Sequence, residues 1–344
     1  MQFHHRLIIG GLWAGLSCSP ALAQTKLELY GQVSAWAGAQ KQPGSQRTYG
    51  INGGGMQAPY WGIKGEEDLG GGRRALFGLE GFFATDDGSQ GRFRGDALFS
   101  RNAYVGLSGS LGQARAGRIT APYFLSTILF NPFVDSFTFS PMMAHTYRGA
   151  GGQGVIGDTG WANAVVYQSP KFGGLQANAA YSFGERPGAN GQAKWGGHLL
   201  YFGGALAATV AYQQIRFNAT PGDLAAIAPD MRRQDAVQLG VSFDAGFVKL
   251  FGQYQHIVNT MASGNLRNDG GQLGAAVPMG SGSWLASYAY TRNRGANDTS
   301  RSTWSLGYDH NLSKRTDVFV AYTNDRLSGQ SHGDSFGVGL RHKF

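Results

Sequence analysis

Charge is the only chemistry this chain carries in quantity, because the residues that could catalyse or ligate are badly grouped. Gly149, Gly151 and Gly154 match the dinucleotide pattern G-x-G-x-x-G, which cradles phosphate only where a strand enters the turn and a helix leaves it; neither flank has that pattern. Gly329, Ser331 and Gly333 match the nucleophile elbow G-x-S-x-G, yet they precede another strand-like segment rather than a helix. His145, His198, His256, His310, His332 and His342 show no metal-ligand spacing, and no acid-rich calcium loop occurs. Asn218 and Asn297 open glycosylation-type triplets that read here as loop residues. No cofactor, metal site or catalytic group is expected. The chain has 29 Lys and Arg against 21 Asp and Glu. These cations are scattered rather than clustered on one element, which argues against nucleic acid as a partner and favours anionic solutes or lipid headgroups.

The first 23 residues form a separate unit. A polar, basic start around Arg6, an apolar stretch Leu7 to Leu16 and the tripeptide Ala21-Leu22-Ala23 read as a secretory signal with cleavage before Gln24. Cys18, the single cysteine, lies within it, so residues 24–344 carry neither disulfide nor thiolate chemistry.

The elements that must position the charges are strands. From Lys26 to Phe344 the pattern is a two-residue alternation in segments of about ten residues, each closed by Gly, Asn, Asp or Ser. Leu175, Ala177, Ala179, Tyr181 and Phe183, for example, alternate with Gln176, Asn178 and Ser182. Sixteen such segments are expected, at 26–39, 57–68, 73–86, 97–108, 113–119, 161–169, 174–184, 195–203, 205–216, 234–244, 246–258, 270–278, 283–293, 301–311, 315–324 and 334–344. Short connections alternate with long ones, at 40–56, 87–96, 120–160, 185–194, 217–233, 259–269, 294–300 and 325–333. An even number of strands with short turns on one side and long loops on the other is the pattern of an all-β, antiparallel transmembrane barrel. Hydrocarbon offers no water to satisfy a backbone, so the sheet must close on itself. Apolar side chains then face lipid and polar ones face a wet interior. Parity places Lys64, Arg74, Arg115 and Lys249 on that inner face.

Specific stretches carry a resemblance. Leu29-Tyr30-Gly31-Gln32-Val33, the block Trp61 to Gly72, Ser100-Arg101-Asn102-Ala103-Tyr104-Val105-Gly106-Leu107, Gly117-Arg118 and the ending Gly339 to Phe344 resemble the Gram-negative trimeric general porins, in particular their beta-proteobacterial branch. The resemblance covers about residues 27–344. It implies a sixteen-stranded water-filled pore in the outer membrane, assembled as a homotrimer, surrounded by outer-membrane lipid and lipopolysaccharide, and passing small hydrophilic solutes. It further implies that Phe344 is part of the signal read by the barrel-assembly machinery. The third long loop, 120–160, would fold inward and constrict the pore, its Asn131-Pro132-Phe133 standing for the family's Asp-Pro-Phe. Asp135 and Asp158 are then its acidic candidates, facing a basic wall to which Arg118 belongs. Parity alone would turn Arg118 outward, so its inward placement requires a bulge or a strand end. Tyr60 and Gly160 stand at or near positions where the family commonly has arginine. With about +7 on the exported chain, anion preference is expected. Alternatives from other classes are a substrate-specific channel using the aromatics of 120–160 as a stacking track, a barrel hydrolase using Ser331, and a plugged surface barrel.

Overall fold

The computed structural model describes residues 26–148, 154–155, 158–184, 193–216, 231–295 and 298–344. The segment 1–23, Asn218, Asn297 and part of the glycine-rich stretch at 149–154 lie outside them. Among the described residues there are seventeen strand segments and two short helices. In order these are β1 (Lys26–Lys41), β2 (Thr48–Gly53), β3 (Tyr60–Gly70), β4 (Arg73–Phe82), β5 (Asn102–Gly109), β6 (Gly112–Thr120), α1 (Pro122–Leu129), α2 (Pro141–Tyr147), β7 (Gly160–Gln168), β8 (Leu175–Ser182), β9 (Lys194–Gly203), β10 (Leu206–Arg216), β11 (Met231–Asp244), β12 (Lys249–Met261), β13 (Gly264–Met279), β14 (Gly282–Arg294), β15 (Thr299–Asn311), β16 (Thr316–Leu327) and β17 (Gly333–Lys343). Both β2 and β3 pair with β1, at Ala35–Gln40 and Lys26–Gln32 respectively, so they form one interrupted stave and the wall has sixteen.

Every neighbour is antiparallel and the ring is closed by β1 against β17, from Gln32 opposite Lys343 to Lys41 opposite Asp334. Gly31 and Phe344 exchange two backbone hydrogen bonds of 3.2 and 3.1 Å, which carry the seam to the last residue. A Cβ on Gly31 would lie 2.4 Å from the Tyr60 carbonyl, so the seam closes only around a residue without one.

The outward face is apolar and exposed, as at Leu29, Val105, Leu199, Leu239 and Trp304. The inward face is polar yet largely buried: Gln213, Gln234, Gln238, Gln253, Gln255, Asn259, Asn268 and Gln272 are each less than 7% exposed because a segment of the chain itself fills much of the interior. A closed wall with its apolar side out and its amide side in is the reverse of a soluble barrel.

Three expectations from periodicity need correcting. The connection 40–56 contains β2, whose Thr-Tyr-Gly-Ile-Asn-Gly is too polar and glycine-rich to show alternation. The connection 259–269 is not a long loop: β12 runs to Met261 and β13 starts at Gly264, with Met261 paired to Gly264 across a tight turn. Strands that rise beyond the hydrocarbon no longer need an apolar face, so Asn259, Asn265 and Asn268 hide the ladder from a pattern search. The fourth expected segment, placed at 97–108, begins instead at Asn102, as β5.

Candidate functional site: a charged constriction

The connection from β6 to β7 folds into the barrel. Its two helices lie against the inner wall, α1 on β9–β11 and α2 on β13–β15. The wall is shaped to receive it. A Cβ on Gly240 would stand 2.9 Å from the Phe130 ring, one on Gly274 would stand 2.8 Å from Pro132, and one on Gly337 would stand 3.1 Å from the Phe139 ring. Glycines thus leave hollows into which the loop's rings settle; Phe130, Phe133 and Phe139 are fully buried. Phe133 and Phe139 join Trp36, Met56, Leu285 and Phe319 in one apolar cluster.

Between the hollows, wall amides satisfy the loop's backbone. Gln253 donates to the carbonyls of Thr127 (3.0 Å) and Phe130 (2.6 Å), and Gln272 accepts from the Met142 N–H at 3.2 Å. Thr146 donates to Gln255 at 2.7 Å, and both Gln234 and Asn259 donate to the Gly154 carbonyl at 3.2 Å. Two histidines complete the fastening: His198 bonds Ser126 Oγ (2.9 Å) and the Pro122 carbonyl (2.8 Å), and His145 bonds Thr291 (2.7 Å) and Thr303 (2.8 Å). Asn131 holds the tip. It accepts from the Phe133 N–H and uses its amide to donate to the Val134 carbonyl and Ser140 Oγ, a donation no ionised aspartate could make. The interruption of the second stave supports the same tip, because Ser136 donates to the Gly55 carbonyl at 2.6 Å and Met56 is buried in the cluster.

What remains open is a cavity of about 890 Å³ whose charged lining is Arg92, Arg101, Arg118, Arg148 and Lys194 against Asp135 and Asp158, five cations to two carboxylates. Arg118 reaches it through a bulge. The β6–β7 register shifts between Gly117, opposite Ala164, and Ile119, opposite Trp161; Gly117 takes φ +136°, and Asn163, in the extra length on β7, takes φ +52°. A Cβ on Gly117 would lie 2.1 Å from the Ala103 carbonyl. The guanidinium so turned donates to the Ser100 carbonyl at 2.6 Å and to Asp158. Arg92, from the β4–β5 connection, donates to the other Asp158 oxygen at 2.7 Å and to Asp96 at 2.9 Å. Burial alone would raise the Asp158 carboxyl, but the hydrogen bonds and charges of these two arginines hold it well below the usual carboxylate range. Burial pushes Asp135 up, against Gln57, Arg101 and Arg341, and its Oδ1 is buried without a hydrogen bond.

Arg101 is paired with Glu80 and stacks on the Tyr60 ring at 4.0 Å. The tyrosine that stands where the resemblance implies an arginine is therefore the platform for one supplied by the next stave but one. Gly160 plays a similar part for Arg118, whose Nη2 lies 3.5 Å from where a Cβ would be.

The residues singled out in the sequence divide in two. Arg118, Asp135 and Asp158 line the cavity. Lys64, Arg74, Arg115 and Lys249 face inward but lie nearer the short-turn rim, outside this lining. Lys64 pairs with Glu28 at 3.2 Å, Arg74 with Glu66 at 3.3 Å, Arg115 stacks on Tyr104 at 5.1 Å and Lys249 on Phe251 at 5.5 Å. Arg92, Arg148 and Lys194 carry no such signal in the sequence. Alternation is silent in the connections that hold the first two, and Lys194 is the first residue of its strand. Of the loop's seven aromatics, Tyr123, Phe130, Phe133 and Phe139 are buried as core, leaving Phe124, Phe137 and Tyr147 on the cavity. Ser331 sits exposed between β16 and β17, so the sharp strand-to-helix turn of a hydrolase is not formed around it.

Comparison with known proteins agrees with this geometry. A family model described as Gram-negative porin matches residues 12–330. Outer membrane porin protein 32 of Delftia acidovorans is 32% identical over 94% of this chain and 89% of its own. An outer membrane porin protein of Bordetella pertussis is 27% identical over 98% of this chain and 99% of its own. Among solved structures, an anion-selective porin from Comamonas acidovorans superposes with a TM-score of 0.79 at 27% identity, covering 93% of this chain and 100% of that one. A closed wall of sixteen staves, an inward loop held in glycine hollows and these relatives lead to one conclusion: the chain belongs to the Gram-negative porin family and forms an outer-membrane channel for passive diffusion of small hydrophilic solutes.

Proposed function

We propose that this channel favours small anions and that the choice is made at the cavity between the inward loop and the β3–β7 wall. The observation that carries the reading is the lining itself, five cations against two carboxylates, one of which is already shared by two arginines. In a narrow aqueous passage with low-dielectric walls, a lining richer in cations than in carboxylates concentrates anions and repels cations. Arg101, Arg118 and Arg92 supply the wall's share of that field, and Arg148 supplies the loop's. Lys64, Arg74, Arg115 and Lys249 extend the positive potential toward the short-turn rim. The relative from Comamonas acidovorans, described as anion-selective, is consistent with this reading. Purified protein in a planar bilayer under a salt gradient tests it: the reversal potential should carry the sign of anion permeation, and a cation-signed potential would overturn the proposal.

The working unit is a homotrimer. The outward face from β17 through β1 to β6 offers small or aliphatic side chains, such as Ala35, Ala37, Ala103, Val105, Ala114 and Ala116, suited to close wall-to-wall contact, and β5 and β6 are short, at 8 and 9 residues. Conductance appearing in steps of three per insertion is the expected signature. The catalytic alternative finds no support in the placement of Ser331, and conduction unchanged in Ser331→Ala is expected. Residues 1–23 act as the export signal, so protein recovered from outer membranes should begin at Gln24.

A further inference from the structure

The rings of the inward loop fall into two sets. Phe130, Phe133 and Phe139 are sunk against the wall, whereas Phe124, Phe137 and Tyr147 are half-buried and line the cavity. The second set is continuous. Phe124 and Tyr147 meet edge to face with centroids 5.4 Å apart, and Tyr147 and Phe137 stand 6.2 Å apart. The Arg148 guanidinium covers the end of this row, 5.6 Å from the Phe137 centroid. On the wall side Phe82 and Phe93 flank Arg92 in the same way, at 5.2 and 5.5 Å.

A filter for inorganic ions asks only for charge and width, and rings left open to water are a cost to the fold. The two guanidiniums beside these rings differ in what they have to spare. Arg92 is bonded to Asp96 and Asp158. Arg148 pairs with no carboxylate among the described residues. Asp325, whose charge it feels, is held by Arg301 at 2.9 Å. Arg301 also donates to the Arg148 carbonyl at 3.2 Å, which fixes the backbone and leaves the exposed side chain its own donors. A row of open ring surface therefore ends at an uncommitted guanidinium.

We propose that the cavity holds a subsite for aromatic carboxylates, of which benzoate is the simplest. The carboxylate takes the paired N–H donors of Arg148. The ring lies along Phe137 and Tyr147 in the offset or edge-on contacts that aromatic pairs prefer. At about 890 Å³ the cavity is within the range of small-molecule sites, about 300–1,000 Å³, so one ring enters without sealing the passage. An acid of equal charge whose ring is saturated gains the first contact and not the second. The inference rests on the anion-preferring reading of this cavity and names a class of solute for it.

The test measures block of the chloride current through purified protein in a planar bilayer at neutral pH, with benzoate and cyclohexanecarboxylate as probes. A bound acid occupies the passage and lowers the current until it leaves. Benzoate should block saturably, with a half-blocking concentration at least fivefold below that of cyclohexanecarboxylate. In F124L/F137L, which keeps the apolar volume and removes two rings, that ratio should fall toward one. In R148Q both acids should block at least fivefold more weakly. Equal block by the two acids in the parent, or a ratio unchanged in F124L/F137L, or benzoate block unchanged in R148Q, overturns the proposal. The comparison of the two acids needs no variant, so a variant that fails to fold leaves it decisive. The reversal potential in chloride alone, taken in the same bilayer, separates the two readings: a cation sign overturns anion preference, whereas an anion sign with equal block by the two acids overturns only the aromatic subsite.

Discussion

Asp158 is the residue on which the pore's electrostatics turn, because it accepts from Arg118 on one side and Arg92 on the other. Its charge is spent on holding two arginines still. Replacing Arg118 by glutamine removes one charge from the lining at a distance of about 7 Å from a passing ion, worth ~0.6 kcal/mol in water and so about threefold in relative anion permeability. The reversal potential should move toward zero by the amount that a threefold fall in the anion-to-cation permeability ratio gives. Asp158→Asn should move it the other way, toward stronger anion preference, and also loosen both guanidiniums. His145 sets a different dependence. Burial, reinforced by the charge of Arg301 and opposed by that of Asp325, lowers its imidazole from 6.5 to about 3. The folded form therefore binds fewer protons than the unfolded one between those values, and stability falls as pH drops from about 6.5 toward 3. The fastening of α2 on Thr291 and Thr303 should weaken over that window. Single-channel noise should rise at about pH 4–5, and His145→Gln should flatten the dependence even if it weakens the docking at neutral pH.

Among the elements, the strands were legible and the loop contacts were not. Alternation such as that of Leu239 and Val241 against Gln238 and Ser242 follows directly from a wall with oil on one side, so every lipid-crossing stave could be read from the sequence. It fails at β2 and at the β12–β13 tip, where both faces meet water or protein and no pattern is imposed. The bulge at Gly117 could be anticipated but not located by parity, since only Asn163, at positive φ in the extra length on β7, completes it. For the inward loop the sequence offered length and aromatics; that Phe130 and Phe139 lie in glycine hollows depends on residues more than a hundred positions away. Gly240→Val should crowd the Phe130 ring and cost about 1–3 kcal/mol, read as a lower melting temperature together with earlier proteolysis of the loop. Gln253→Leu leaves the Thr127 and Phe130 carbonyls without their donor. At about 1–3 kcal/mol for an unsatisfied buried group, it should open the loop without altering the strand content seen by circular dichroism.

For the molecule as a whole, the arrangement divides labour between two surfaces of one thin wall. The outer surface keeps the barrel in lipid and the inner surface holds a charged plug partly open. Because the field that sorts ions comes from groups in contact with water, it is screened by salt. Between about 0.1 and 1 M the Debye length falls from about 10 to 3 Å. The anion-to-cation permeability ratio measured at a fixed gradient should therefore fall as the mean concentration rises, and a ratio independent of salt would place the selective element in a dehydrated filter that this wide cavity does not resemble.

The hollows at Gly240, Gly274 and Gly337 have a further consequence. They make the aperture a matched pair of parts, a cast and its mould, lying far apart in the gene. A drifting lineage cannot widen the opening by trimming one ring without leaving a void behind it, nor narrow it by enlarging one without first deepening the socket. Permeability in such channels is therefore free to change quickly in charge, where single side chains meet water, and only slowly in bore, where two distant stretches must move in step.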